Sequence, residues 1–264
     1  MFAATLSVLS GCSGASDVQS GSGPSTTSAG GGASSGTGGD GESTTTAPAE
    51  VAPSTSPYLF TQGTVTVPAG EAGKLSVVAI SAPTEDSTGS SATVPVLVRN
   101  NTDTPLDSIE VNGTARGPDG ALAGSGTSQN FEPNVLEPGQ WGFAYIYFDT
   151  ALPAGAKVEA TASGNEPDTD LFDRVQLTIN EVNLVPGDFS SNFVGILANT
   201  DGKKAVSSPG VAIGCFDPAS NLIDVFTGYA DGEAVPGGTA SFSVSAYEAP
   251  TCAAIVAAAS GFES

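Results

Sequence analysis

Three cysteines and the absence of histidine limit the chemistry open to this chain of 264 residues. Without histidine there is no Ser-His-Asp or Cys-His nucleophile system. A His-based zinc, copper or iron site is excluded for the same reason. Catalysis would depend on carboxylates alone, as in glycosidases, and no pair among the many acidic residues is marked by its spacing. The sequence therefore predicts no catalytic residue, no metal site, no cofactor and no enzymatic activity.

Cys12 follows a short apolar segment at the start of the chain. Residues 2–9 are too few to span a bilayer, which takes about 20 apolar residues, and are typical of the centre of an export signal. No basic residue precedes them, so we expect the translation start to lie upstream of Met1. The alternative is a partly buried apolar N-terminus with an unused thiol.

Leu9-Ser10-Gly11-Cys12 resembles the lipobox of bacterial lipoproteins, whose cysteine is diacylated after cleavage of the chain just before it. The resemblance implies a partial signal peptide at residues 1–11. It also implies a lipid anchor at Cys12, because two acyl chains hold a protein firmly on a membrane. The expected location is the outer face of the cell membrane.

Cys215 and Cys252 are the two cysteines left once Cys12 is assigned to lipid. An exported compartment permits oxidation, and a disulfide between them would stabilise the fold by about 4 kcal/mol in the chain-entropy model. The alternative is a redox pair, although thioredoxin-like chemistry uses a C-x-x-C spacing that they lack. We predict a structural disulfide.

The charge of the chain bears on its partners. With 28 acidic and seven basic residues the net charge is −21. This charge argues against nucleic acid as a partner, since phosphates need clustered Lys and Arg. It also argues against a basic patch for anionic lipid.

The best candidates for a binding surface are aromatic residues that alternate along one predicted strand: Trp141, Phe143, Tyr145 and Tyr147. Alternating residues of a strand share one face. Exposed aromatic surface marks contact with a sugar, a partner or a membrane, so the expected ligand is a cell-wall glycan or an envelope protein. The alternatives are burial under residues 58–60, between two domains, or in a core of slipped register.

The densest acidic cluster lies at residues 168–173. Calcium takes several carboxylate and carbonyl oxygens, but the cluster lacks the glycine and terminal glutamate of an EF-hand loop. We expect a solvated acidic linker here, with calcium binding as the alternative.

The composition changes near residue 58. Residues 12–57 are rich in Gly, Ser and Thr and hold almost no large apolar side chain, which predicts a disordered linker. Beyond it, short β-branched runs such as residues 75–80, 93–98 and 175–179 alternate with turn pairs such as Asp119-Gly120. This pattern predicts a β-sandwich or barrel without helices.

An internal repeat divides the second part of the chain. Asn101-Thr102-Asp103 recurs as Asn199-Thr200-Asp201, and residues 136–139 recur as 234–237, at a common offset. Residues 162–164 recur as 259–261 at nearly the same offset. In this alignment the aromatic residues fall on a row expected to face solvent: Thr239, Ser241, Ser243 and Ser245.

The second half also resembles the FxLYD-type Ig-like domains of microbial surface proteins. The resemblance rests on residues 194–200, on Cys215-Phe216-Asp217, and on Val235-Pro236-Gly237 before residues 240–244. It covers about residues 172–261, and residues 75–164 more distantly. Of the motif that names the family only Asp217 matches. The resemblance implies a small β-sandwich without catalytic residues.

We therefore expect an all-β protein with two tandem Ig-like β-sandwich domains after a disordered N-terminal linker. The predicted divisions are a signal segment at 1–11, a lipidated linker at 12–57 and sandwiches at 58–165 and 166–264. The expected function is a cell-surface lipoprotein that acts as a non-catalytic binding or scaffolding module of the cell envelope. A structural spacer without a specific ligand is the alternative.

Overall fold

The computed structural model describes residues 56–86, 88–167, 174–187, 190–246 and 250–263. Within these ranges the chain forms strands and turns and no helix, which confirms the predicted all-β class. None of the described residues belongs to a helix long and apolar enough to cross a membrane. The predicted signal segment, Cys12, the linker as far as residue 55 and the acidic cluster at 168–173 lie outside the described residues.

Nine strands lie before residue 166: β1 (Phe60–Gln62), β2 (Leu75–Ile80), β3 (Thr84–Glu85), β4 (Ala92–Asn100), β5 (Leu106–Arg116), β6 (Leu122–Glu132), β7 (Val135–Leu136), β8 (Trp141–Phe148) and β9 (Lys157–Asn165). Eight strands follow: β10 (Arg174–Val185), β11 (Ser191–Ala198), β12 (Val206–Ser207), β13 (Gly210–Phe216), β14 (Leu222–Asp231), β15 (Glu233–Ala234), β16 (Thr239–Ala246) and β17 (Ala254–Phe262). The part from β2 to β9 is called the first half below, and the part from β10 to β17 the second half.

The first half forms one antiparallel sheet in the order β2-β4-β8-β6-β5-β7, with β3 paired to β4 and β9 paired to β5. Side chains alternate between its faces, as the pleat of a strand requires. The inner side chains Val94, Val96 and Val98 of β4 meet Ile146 and Phe148 of β8 in a buried core.

The second half closes into a barrel-like ring. β17 pairs with both β10 and β13, so the order β17-β10-β11-β16-β14-β13 returns to its start. The long strand β10 pairs with two strands: its residues 174–177 pair with β17, and its residues from 178 onward pair with β11. Phe193, Leu197 and Phe242 fill the centre of this ring.

The two halves share one strand order. The series β2-β4-β8-β6-β5-β9 corresponds to the series β10-β11-β16-β14-β13-β17. Asn100 and Asn199 are fully buried at equivalent places. The Asn100 Nδ2 donates to the carbonyl of Leu136 at 2.8 Å, and the Asn199 Nδ2 donates to the carbonyl of Ala234 at 2.9 Å. Each amide thereby ties the end of one strand to a neighbouring segment of the same half.

Backbone hydrogen bonds of the same two asparagines correct the sequence alignment at this place by one residue. Gly139 N donates to the Asn100 carbonyl at 2.7 Å, and Gly237 N donates to the Asn199 carbonyl at 2.8 Å. The counterpart of Asn199 is therefore Asn100, and the predicted match with Asn101 is wrong. A buried amide must keep its carbonyl partners. Asn100 and Asn199 are therefore equivalent because of their hydrogen bonds, whereas the Thr-Asp pairs that follow Asn101 and Asn199 in the sequence are not a guide.

β1 precedes the first half in the chain but pairs with the second half. Phe60 lies opposite Ala257 of β17, and Gln62 lies opposite Ile255. The Phe60 side chain packs against the core of the second half. Residues 58–165, predicted as one sandwich, thus contain a strand that is bound by its ladder to the other half.

Candidate functional site

An apolar core lies between the two halves, where outward-facing side chains of β4 and β8 pack on those of β13 and β17. Its buried members are Val65, Val67, Val78, Leu97, Trp141, Phe143, Ala212, Phe216, Leu222, Val225, Ala254, Val256 and Ala258. We call this cluster the junction core. Apolar burial stabilises by about 25 cal/mol per Å², so the junction core favours docking of one half on the other.

Trp141 and Phe143 belong to the junction core, with only 1% and 0% of their surface exposed. The predicted binding surface is therefore wrong for these two residues, because no external ligand reaches them. Both side chains are buried between the two halves, as one of the alternatives from the sequence predicts. β13 fits the Phe143 ring closely, since a Cβ atom at Gly214 would lie 2.5 Å from its Cε1 atom.

Tyr145 and Tyr147 continue the same face of β8 toward solvent. Tyr147 is 42% exposed and Tyr145 is half-buried. The Tyr145 hydroxyl accepts a hydrogen bond of 3.2 Å from the Asn130 side chain. For these two tyrosines a role in binding stays a prediction.

β16 occupies the same position in the second half and divides as the sequence predicts. Thr239, Ser241, Ser243 and Ser245 are exposed, and the residues between them are buried. Phe242 and Val244 from the buried set lie in the core of the second half.

The predicted disulfide between Cys215 and Cys252 is confirmed, with their Cα atoms 5.2 Å apart. It ties β13 to the segment that leads into β17. In the first half Ala115 and Gly155 stand at the corresponding positions, so only the second half has this cross-link.

Glu132 is a buried carboxyl at the edge of the junction. It ends β6 and faces β13 so closely that any side chain at Gly210 would overlap its Oε1 atom. Its Oε2 atom accepts a short hydrogen bond from the Ser260 hydroxyl, which itself accepts one from Asn134 N at 2.7 Å. Burial raises the pKa of Glu132 to about 8, against a smaller opposing effect of the Ser260 hydrogen bond. This carboxyl is therefore neutral at pH 7.

A groove of about 310 Å³ opens above Glu132, between β6 of the first half and β13, β14 and β17 of the second. Its aromatic lining is Phe131, Tyr229 and Phe262. Tyr229 is 64% exposed and Phe262 is 44% exposed, so both present ring surface to solvent. We call this cavity the junction groove.

A smaller cavity of about 190 Å³ extends the junction groove and shares Phe131, Asn134 and Phe262 with it. Arg174 lines this extension, paired with the buried Asp107 and placed 5.6 Å from the centre of the Phe262 ring. The guanidinium is thus engaged by a carboxylate and an aromatic face, and its charge is balanced locally.

Backbone strain is concentrated at the same place. Four described residues other than glycine have positive φ, and three of them line the two cavities: Ser108 at 48°, Asn130 at 51° and Ser208 at 48°. Such conformations are costly for L-residues and cluster at ligand sites. The junction groove combines this strain with aromatic walls and a neutral buried acid, an arrangement suited to holding a ligand with both apolar and hydroxyl groups.

Nothing in the sequence predicts that the residues of the junction groove lie together. Glu132, Tyr229 and Ser260 come from three strands of both halves, and nothing in their local patterns marks them. Among the described residues no three His, Cys, Asp or Glu side chains are grouped to hold a metal ion. Comparison with protein-family models and with curated proteins finds no match to the chain.

Proposed function

We propose that this chain is a lipid-anchored surface protein of the cell envelope. Leu9-Ser10-Gly11-Cys12 supports an anchor at Cys12, followed by a linker rich in Gly, Ser and Thr that holds the folded part away from the membrane. The Cys215–Cys252 disulfide supports an exported location, because disulfides persist in oxidising compartments.

The folded part is, in this proposal, a pair of Ig-like β-sandwiches that arose by duplication. Two observations support it: the common strand order of the halves, and the equivalent hydrogen bonds of Asn100 and Asn199. The disulfide and the closed ring distinguish the second copy from the first.

The proposed activity is non-catalytic binding of a neutral glycan of the cell wall at the junction groove. The observation that carries it is the pair of exposed rings, Tyr229 and Phe262, beside the neutral carboxyl of Glu132. Aromatic faces pack on sugar rings, while a few polar groups fix their orientation. The net charge of −21 opposes binding of polyanions.

Calorimetric titration with soluble, uncharged cell-wall oligosaccharides tests this activity. Tyr229→Ala should weaken binding by at least about tenfold, which corresponds to about 1.4 kcal/mol. Tyr147→Ala is the matched control, since it makes the same change at an exposed tyrosine outside the junction groove. Loss of binding in Tyr147→Ala alone would instead place the site on β8, as the sequence predicts.

The anchor is tested separately by cell fractionation. Cys12→Ala should move the protein from the membrane fraction to the soluble exported fraction and abolish incorporation of labelled fatty acid. If Cys12→Ala leaves the protein in the membrane fraction, the lipid anchor is contradicted.

A structural spacer is the second candidate function, and the junction core favours it. Docking of the halves through buried residues such as Trp141 and Phe216 yields a fixed length without any ligand. Glycan binding that survives Tyr229→Ala and Tyr147→Ala, or no glycan binding at all, would favour the spacer.

A further inference from the structure

We propose that the first half carries a strand-accepting slot along the edge of β9 that faces away from β5, and that an extended peptide segment of a partner protein binds there by antiparallel pairing. The comparison of β9 with its counterpart β17 carries this inference. β17 has a ladder on each side, to β13 on one and to β10 and β1 on the other. Among the described residues β9 has a ladder to β5 only.

The registers of the two halves locate the slot. Ala115 of β5 pairs with Val158 of β9, and Cys215 of β13 pairs with Ile255 of β17. Residues 158–160 therefore correspond to residues 255–257. Those three residues of β17 are the ones that pair with β1.

The first half lacks the element that closes the ring in the second. β10 uses residues 174–177 to reach β17, whereas β2 begins only at Leu75, opposite Asn100. Gly70 and Gly73, with φ of 78° and 73°, bend the chain just before that point. Among the described residues β2 lies beside β9 without forming a ladder to it, so residues 158–160 have no strand paired on the side away from β5.

A cavity of about 700 Å³ lies at this edge. It runs between residues 80–83, at the end of β2 and just beyond it, and residues 152–159, which lead into β9 and include its first three residues. Ile80 is 38% exposed there and Val158 is half-buried. Lys157 and two prolines, Pro83 and Pro153, border the opening, and such residues discourage indiscriminate pairing at a strand edge.

The second half identifies the kind of occupant. β1 is an extended segment whose Phe60 side chain enters the core, while Thr61 and Gln62 stay exposed. A segment with a large apolar residue opposite Ala160 and uncharged polar residues after it would repeat these contacts in the first half. Added strands of this kind gain affinity from main-chain hydrogen bonds and specificity from alternate side-chain pockets.

A synthetic peptide of residues 58–66, which copies β1, serves as the probe for the full chain carrying Cys12→Ser. Hydrogen exchange of backbone amides is followed by NMR at peptide concentrations up to about 1 mM, where a weak complex still forms. The proposal predicts that exchange at residues 157–160 slows by at least about tenfold. The same peptide with Asp in place of Phe60 should give no slowing.

Ile80→Asp provides the variant test, because Ile80 lines the cavity and is exposed enough for the fold to tolerate a charge. It should weaken peptide binding by about tenfold. Ile196→Asp is the matched control, since Ile196 is 40% exposed on β11, outside the cavity, and it should leave peptide binding unchanged.

Three results would overturn the proposal. The first is unchanged exchange at residues 157–160, which includes amides already protected by another segment of this chain. The second is slowing confined to residues 255–257, which would mean that the peptide merely replaces β1. The third is an equal loss of binding in Ile80→Asp and Ile196→Asp.

Discussion

β8 and β16 hold the same place in the two halves, and their inner faces are equally apolar. Their outer faces differ: β8 presents aromatic side chains where β16 presents Ser and Thr. The structure gives the reason, because Trp141 and Phe143 pack on the second half, whereas the hydroxyl row of β16 is exposed. Trp141 and Phe143 thus mark where one half docks on the other rather than where a ligand binds.

The strongest test of this difference replaces one residue at the same position in each strand. Phe143→Ala should lower the free energy of unfolding by about 3–5 kcal/mol, because it opens a cavity in the junction core. Ser241→Ala, its exposed counterpart on β16, should change it by less than about 0.5 kcal/mol. Urea unfolding measures both, and equal effects would contradict the docking of the halves through β8.

The disulfide provides the second contrast, since only the second half has it. Replacing Cys215 and Cys252 together by Ala should cost about 4 kcal/mol of stability in the chain-entropy model. Unfolding of the double variant with and without a thiol reductant measures this cost. A reductant should destabilise the parent chain and leave the double variant unchanged; a parent chain insensitive to reductant would speak against the bond.

Gly214→Ala tests the same contact between the halves from the side of β13. The new Cβ atom would lie 2.5 Å from the Phe143 ring, so overpacking should cost about 1–3 kcal/mol. Thr114→Ala at the corresponding position of β5 should cost less than about 0.5 kcal/mol, because Thr114 is half-buried and lies outside the junction core. Thermal unfolding of the two variants compares them, and an unaffected Gly214→Ala protein would mean that β13 and β8 are not in contact.

Glu132 makes the junction sensitive to pH in a defined direction. Burial raises its pKa from 4.5 to about 8, so between these values the folded state keeps a proton that the unfolded state has lost. Stability should therefore fall as the pH rises from 4.5 to about 8, by at most about 1.4 kcal/mol per pH unit. Above that range the contribution of Glu132 should level off.

Glu132→Gln should reduce this slope, whereas Glu110→Gln, at an exposed residue of β5, should preserve it. Urea unfolding at several pH values across the window gives the slopes. Identical slopes in the Glu132→Gln variant and the parent chain would show that the carboxyl is ionised and solvated in the folded protein.

Local patterns in the sequence were sufficient for the strands. The β-branched run at residues 75–80 is β2, and Gly120 of the predicted turn pair Asp119-Gly120 has the positive φ that such turns use. The alternation along β16 assigned its two faces correctly. These features depend on neighbours in the chain, which a single sequence displays.

The junction could not be read in the same way, because its contacts join distant strands. Alternation placed Trp141 and Phe143 on the outer face of β8, but it does not tell solvent from a second sheet. Glu132 lies against β13 and β17 of the other half, and its own local sequence does not predict this burial. The pairing of β1 with the second half could not be predicted either, since a strand of three residues has no pattern of its own.

The fluorescence of Trp141, the single tryptophan of the chain, tests the central claim most directly. Emission and acrylamide quenching would be measured on residues 56–264, with Phe216→Ala as a variant that loosens the junction core to which Trp141 belongs. The account predicts blue-shifted emission that acrylamide hardly quenches, and a red shift with stronger quenching in Phe216→Ala. Red-shifted, easily quenched emission from the parent chain would contradict docking through β8 and restore Trp141 as part of an exposed binding surface.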